Sequence, residues 1–339
     1  MFRVVAMAVL CTSLAGGFIV EMSAQEPLWA ITGIGGDTIF GLPSDVATRA
    51  SSGSVFITDQ SRRAIVELDA NTGKLRRFIG RKGDGPGEIR AVGPIGLSPD
   101  GSLLGMYDQG RQTVEAYARP ASAVARLRVG MLYFPKGILV LPDSQYALSG
   151  GHLVDEQQVA SVLFVRRNSV TATGPPVPLA TEGEGSARVV PSLYVAGGPM
   201  ARADEGVFLA EASTGDVWLV TTGQSRKLLD GPGLGVPSMV DKFLRRVTDQ
   251  GKEYLQTWFS FPQPKFLERV ADGVFLEAWS DQDHSMLRFY RLESGRKPRL
   301  LLQLPLAVYA MARYDSDSFI LMAKQDGDYL IERVRLDLR

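Results

Sequence analysis

The chain of 339 residues has little cysteine, little histidine and no charge imbalance, and each scarcity excludes a class of function. Cys11 is the only cysteine and lies in an N-terminal segment expected to be removed. The mature protein is then expected to lack disulfides, a thiol nucleophile and any cysteine-ligated metal. His152 and His284 are the only histidines, too few for a three-histidine zinc site, and without cysteine the usual replacements are missing. Lys+Arg and Asp+Glu both number 37. A nucleic-acid binder needs a basic excess to neutralise phosphates, so nucleic acid is not an expected partner. No Gly-x-Ser-x-Gly elbow, Walker-type loop or dinucleotide fingerprint in strand–helix context is present.

The N-terminus carries an export pattern. Met1-Phe2-Arg3 supplies a positive start, Val4 to Val20 is almost wholly apolar or small, and Glu21 to Gln25 turns polar. This charged, apolar, small-residue order is that of a secretory signal, with cleavage expected after Ala24 or Gln25. The alternative, a retained anchor, needs roughly 20 apolar residues, and the run is shorter and interrupted by Gly16-Gly17. Lipidation of Cys11 is disfavoured by the bulky Leu10 before it. The expectation is a signal over 1–24 and an exported domain over 27–339, periplasmic or extracellular, monomeric, with no stable membrane span after cleavage.

What remains is rich in short strands and turns. Hydrophobic residues make up 45% and charged residues 22%, enough for a large core and too little charge for disorder. Gly53-Ser54-Val55-Phe56-Ile57-Thr58-Asp59 recurs in outline as Gly206 to Ala212, Gly273 to Trp279 and Ser318 to Ala323. A second apolar run follows each, at Ala64 to Leu68, Asp216 to Val220, Met286 to Tyr290 and Tyr329 to Val334. Weaker units span Pro94 to Tyr117 and Pro135 to Leu179, and Tyr107-Asp108-Gln109 repeats Thr58-Asp59-Gln60 at a spacing of 49 residues. Six units therefore start near Pro43, Pro94, Pro135, Gly197, Pro262 and Leu306. A period of about 40–50 residues with four strands each is the mark of a β-propeller. The near-continuous apolar runs suit strands buried on both faces. The fold class expected is all-β, a six-bladed propeller, with Leu28 to Ile31 pairing into the last blade. One segment breaks the pattern: over 236–258, Met239, Val240, Phe243, Leu244 and Val247 share a helical stripe. A helical insertion between blades 4 and 5 is expected there.

The connector Gly80-Arg81-Lys82-Gly83-Asp84-Gly85-Pro86-Gly87-Glu88-Ile89, with Leu42 to Ala47 and Val55 to Asp59, resembles the bacterial six-bladed propellers related to NHL repeats. The likeness covers 42–115; later units agree in period and strand order only. The resemblance implies a propeller without a fixed activity, since such proteins serve as binding scaffolds, lyases and lactonases. Read from its own residues, the connector fixes sharp turns; the functional alternative is an anion site using its backbone N–H groups with Arg81 and Lys82.

Candidate site residues are few. Asp59 and Asp108 end equivalent strands, and Glu211 and Glu277 sit near the corresponding place in two later units. The structural reading is that each caps a strand end. The functional one is that they converge on the axis, where four carboxylates would hold calcium, as the resembling lactonases do; Asp59 and Asp108 are the first candidates. Arg62 and Arg111 follow those acids and are placed to neutralise them. His284 and His152 lie in turn-like stretches. Asp281 and Asp283 beside His284 lack the glycine and distal glutamate of a calcium loop. Two functions follow: an exported module that binds a protein or small molecule, which is favoured, or a calcium-assisted lactonase or lyase.

Overall fold

A computed structural model describes residues 27–32, 40–118, 122–155, 158–167, 169–177, 192–234, 236, 261–282, 285–325 and 328–338. The expected signal, nearly all of the helical insertion at 236–258, Asp283 and His284 lie outside the described residues.

The protein is a six-bladed β-propeller of four-stranded antiparallel sheets. Blade 1 comprises Pro43–Arg49, Ser54–Asp59, Ala64–Asp69 and Leu75–Ile79. Blade 2 comprises Val92–Leu97, Leu103–Asp108, Thr113–Ala118 and Ser122–Arg128. Blade 3 comprises Tyr133–Leu141, Gln145–Asp155, Gln158–Arg166 and Ser169–Thr173. Blade 4 comprises Met200–Arg202, Val207–Ala210, Val217–Val220 and Ser225–Leu229. Blade 5 comprises Gln263–Ala271, Val274–Asp281, Met286–Glu293 and Arg299–Leu304. Blade 6 takes Val308–Arg313, Ser318–Gln325 and Asp328–Arg335 from the end of the chain and Trp29–Thr32 from its start. The strand expected to close the ring thus does so, pairing Trp29 with Arg333 and Ile31 with Ile331.

The first strands of successive blades touch one another in a closed cycle, blade 6 returning to blade 1, so they surround the axis. Because each blade is an up-and-down meander of four strands, the chain leaves it at the end where it entered. All six inner strands therefore begin at one end of the channel, where the turns between second and third strands also lie.

Six apolar clusters fill the gaps between blades. Val55, Ile57 and Val66 pack toward Ile320, Met322 and Ile331 of blade 6, while Phe56 and Ile65 on the opposite face pack with Ile95, Leu104 and Met106 of blade 2. The remaining gaps are filled in the same way. Alternating side chains thus enter different cores, which is why the strands read as unbroken apolar runs rather than alternating ones. Polar ties add to this near the axis. Asp45 accepts from Ile95 N–H of blade 2 (2.9 Å). Ser149 Oγ bonds both N–H and C=O of Gly198, and Ser280 Oγ accepts from Val308 N–H of blade 6 (2.9 Å).

Candidate functional site

The carboxylates singled out from the sequence hold turns. Asp59 is fully buried. Its oxygens accept the N–H groups of Gly41 (2.6 Å), Leu42 (3.1 Å), Ser61 (2.9 Å) and Arg62 (3.1 Å). Asp108, equally buried, accepts from Arg90 (2.9 Å), Ala91 (3.1 Å), Gly110 (3.0 Å) and Arg111 (3.2 Å). Every partner is displaced by the same 49 residues, so one hydrogen-bond unit is built twice. It ties the entry of the first strand to the turn after the second. Glu211 repeats half of it, accepting from Ser213 N–H (3.1 Å) and Thr214 N–H (3.0 Å). Glu277 lies elsewhere: it sits inside the second strand of blade 5, opposite Leu267 and Tyr290, and Asp281 ends that strand. Among the described residues no group of three or more His, Cys, Asp or Glu is placed to hold a metal ion.

The basic candidates are largely engaged. Arg111 pairs with Asp108 (2.9 Å) and donates to the carbonyls of Glu88 and Gly83, the latter at 2.6 Å. Arg62 lies 3.8 Å from Asp59 with its side chain 41% exposed. Arg81 pairs with Glu88 at 2.9 Å, and Lys82 is exposed. The connector is braced further by Gly85 N–H on Glu88 (2.7 Å), Arg126 on the Gly85 carbonyl (3.0 Å) and an Arg90–Asp84 ion pair. His152 Nδ1 is 2.9 Å from the Met131 carbonyl oxygen.

A different group of polar residues gathers where the inner strands begin. The pairing of first with second strand shifts register near its start in blades 1, 2, 3, 5 and 6. Such bulges bend a strand and re-aim its side chains. The residue inserted in blade 5 is Lys265, between Pro264 and Phe266. In blade 3 the irregular stretch runs from Tyr133 to Gly137 and includes Lys136. Blade 4, between them, enters its short first strand through Gly197-Gly198-Pro199 and offers no long side chain there.

The blade 3 bulge is specially held. Phe134 has φ of +47°, a left-handed conformation that costs a bulky residue of order 1–3 kcal/mol. Its ring stacks on Tyr194 at 3.9 Å, in the helical turn 192–195 between blades 3 and 4. The Tyr194 carbonyl accepts from Lys136 Nζ (3.0 Å). Lys265 Nζ donates to Gln263 Oε1 (3.1 Å).

Both lysines are half-buried. Loss of hydration lowers Lys136 to about 7; Lys265 pushes it further down and Glu211 opposes. Loss of hydration alone lowers Lys265 to about 8. Asp45, on the blade 1 inner strand, is raised by burial to about 7 against the two N–H groups that it accepts. Glu277 is pushed well above the usual carboxylate range by burial, and the fields of Asp216 and Glu211 add to this. The neighbouring Trp279 indole N–H opposes this rise, although neither it nor either Glu277 oxygen closes a hydrogen bond of good geometry among the described residues. Burial thus favours the protonated acid in the core between blades 4 and 5.

Sequence reasoning missed Lys136, Lys265 and Gln263. A signal was present: in both blades a proline lies within the first three residues of the inner strand and a lysine follows, as Pro135-Lys136 and Pro264-Lys265.

No protein-family model matches the chain, and no curated protein does. Solved structures match along nearly the whole length. A protein of Bacteroides fragilis NCTC 9343, named as an exported protein, superposes with a TM-score of 0.57 at 11% identity, covering 93% of this chain and 98% of its own. U3-55K gives 0.52 at 12% identity, covering 92% and 100%. An inactive virginiamycin B lyase of Staphylococcus aureus, solved with quinupristin, gives 0.51 at 9% identity, covering 91% and 99%. At these identities the likeness is one of fold. Among the described residues no helix is long and apolar enough to cross a membrane.

Proposed function

We propose that this protein is an exported binding propeller, related to the NHL-repeat group, that takes its ligand at the end of the channel where the six inner strands begin. The observation that carries this reading is the pair of irregular strand starts in blades 3 and 5. Each carries a desolvated lysine, and one of these, Lys136, donates to the Tyr194 carbonyl, with strained Phe134 stacked on the Tyr194 ring. Strain and desolvated charge lower stability and are retained where a site needs them. The export pattern of residues 1–25 supports the localisation. Binding is favoured over metal-assisted catalysis because the carboxylates of Asp59, Asp108 and Glu211 are engaged by backbone N–H groups of their own turns.

The test is a thermal-shift screen of the full mature protein against sugars, amino acids, small acids and phosphate esters. Hits are followed by calorimetry and mass spectrometry of the recovered ligand. The reading expects a ligand recovered unchanged whose affinity falls at least about tenfold, near 1.4 kcal/mol, in Lys136→Met or Gln263→Ala. Turnover of the hit, or binding indifferent to every channel-end substitution, would sink it.

A further inference from the structure

We infer that the outer rim of blade 5 carries a second site, for a multiply charged phosphate group on a small molecule, in the pocket lined by Arg291, Glu293, Arg296, Lys297, Pro298 and Arg299. The pocket lies at the hairpin that joins the third and fourth strands of that blade, Met286–Glu293 and Arg299–Leu304. In an up-and-down meander this hairpin falls at the end opposite to the one where the inner strands begin. It is therefore separate from the channel-end site, and neither reading depends on the other. The volume is about 590 Å³, within the range of small-molecule clefts.

The chain as a whole has equal numbers of basic and acidic residues, 37 each. This lining has four cations and one carboxylate, an excess of three positive charges. Strand pairing concentrates them. Arg291 and Arg299 stand directly opposite each other, a placement of like charges that disfavours the sheet on its own. Glu293, two residues from Arg291 and so on the same face, accepts from Arg291 Nε and from Arg296 Nη1 (2.7 Å). Those guanidinium groups, Arg291 first, hold its carboxyl below the usual range, so it stays ionised and orients both of them. Among the described residues Arg299 and Lys297 have no carboxylate partner. The loop that carries the group is itself fixed. Arg296 N–H donates to the Glu293 carbonyl (3.2 Å) across Gly295, whose φ is +70°, and Pro298 restricts the backbone before Arg299. A concave wall of one sign focuses its field on what enters, and guanidinium forks match the oxygens of phosphate. A phosphoryl group brings three acceptor oxygens and roughly two negative charges. It accepts through different oxygens from Arg299, Lys297 and the N–H groups that Arg296 does not spend on Glu293. A lone carboxylate, with one charge, leaves most of the excess uncompensated.

The experiment is titration calorimetry of the mature protein with inorganic phosphate, pyrophosphate and glucose 6-phosphate, with sodium chloride and sodium acetate as controls at matched ionic strength. Saturable binding at one site per chain is expected, tighter for pyrophosphate than for phosphate, with neither control saturating. Affinity should weaken as salt is raised, since the site is open to water. Arg299→Gln and Lys297→Gln, both on the exposed rim, should each weaken pyrophosphate at least about tenfold while leaving the melting temperature unchanged. Arg299→Lys keeps the charge but loses the planar fork, and should fall between the glutamine variant and the unmodified protein. Lys136→Met should bind pyrophosphate as the unmodified protein does. The inference is overturned if neither phosphate nor pyrophosphate saturates, if acetate binds as tightly, or if both glutamine variants bind unchanged. Loss of pyrophosphate binding in Lys136→Met with none in Arg299→Gln would move the anion to the channel end and remove the rim site. Capture by phosphatidylglycerol vesicles without saturable binding of the soluble phosphates would also overturn it, by making the rim a lipid-headgroup surface.

Discussion

Lys265 converts its surroundings into a stability trend. Its amine titrates near 8 in the folded protein and near 10.4 in an unfolded chain. Between those values the unfolded chain holds more protons, so stability rises with pH across that window and the full cost is present below about 8. That cost is on the order of 3 kcal/mol. Lys265→Met should therefore raise the melting temperature at neutral pH, with the gain fading toward pH 10.4; equal gains at both ends would refute the desolvated amine. Asp45 has the opposite sign. Its folded value of about 7 lies above the unfolded 3.9, so the stability it provides is complete below 3.9 and is lost as pH rises through 7. Asp45→Asn should flatten that slope in chemical denaturation followed against pH. Asp59 and Asp108 act through geometry instead. Replacing either with alanine leaves four N–H groups without their acceptor, a loss of about 2–4 kcal/mol. The two losses should add within about 0.5 kcal/mol, since no partner is shared. A chelator should leave the melting temperature of the unmodified protein unchanged; a large drop would restore the calcium reading. The capping acids were legible because each belongs to the repeat, where a polar residue closing an apolar run has few other uses. Lys136 and Lys265 were not, because a lysine beside a proline has the composition of a surface turn. Only the strand pairing reveals that each lies in the irregular start of an inner strand.

Elements were legible where local pattern and long-range packing agree. The six unit starts, five of them read at a proline or glycine, fall within three residues of the observed first strands, because those residues mark the turns that a meander requires. Glu277 shows the limit. Aligning units at their leading glycine leaves it two residues short of the Asp59 position, level with Ile57, and the second strand of blade 5 has eight residues where that of blade 1 has six. The longer strand carries the equivalent end to Asp281, and Glu277 falls inside the core. The Gly-rich connector shows the converse, where turn chemistry alone sufficed: it is a braced loop with its own two-residue parallel bridge, Arg81–Lys82 with Glu88–Ile89. Its anchor to blade 2 is Arg111, whose side chain is only 8% exposed. Removing that guanidinium frees the carbonyls of Gly83 and Glu88 but leaves Asp108 its four N–H donors. Arg111→Ala should thus cost the whole protein only about 1–2 kcal/mol, while amide exchange over 83–90 accelerates far more than in the blade 2 strands. Uniform acceleration across blade 2 would show that the guanidinium supports the sheet rather than the loop.

A propeller must join its last blade to its first, and here the joint uses both ends of the described chain. Trp29–Thr32 supplies the outer strand of blade 6. The Trp29 indole N–H reaches the Ala70 carbonyl of blade 1 at 2.7 Å, and its ring rests on Gly73. Arg333 crosses the same seam, donating to Ala70 (3.0 Å) and Asn71 (3.1 Å), while its guanidinium lies over Tyr314 and pairs with Asp315 (2.8 Å). The inner strands of blades 6 and 1 also touch, so two accounts of closure compete. If the axial contacts dominate, losing the outer strand frays one edge and little else. If the seam dominates, its loss uncovers the backbone of Asp328–Arg335 and loosens the core shared by Ile57, Leu68, Ile320 and Ile331. The interblade clusters favour the second account. Trp29 and Ile31 pack against that core, and an uncovered edge strand is a template for pairing with another chain. Trp29→Ala should then cost roughly 2 kcal/mol. Removal of everything through Thr32 should lower the melting temperature by more than about 5 °C and produce concentration-dependent light scattering. A synthetic peptide carrying 27–32 should suppress the scattering by re-forming the outer strand. A truncated protein that stays monodisperse with an unchanged melting temperature would assign closure to the axial strands instead.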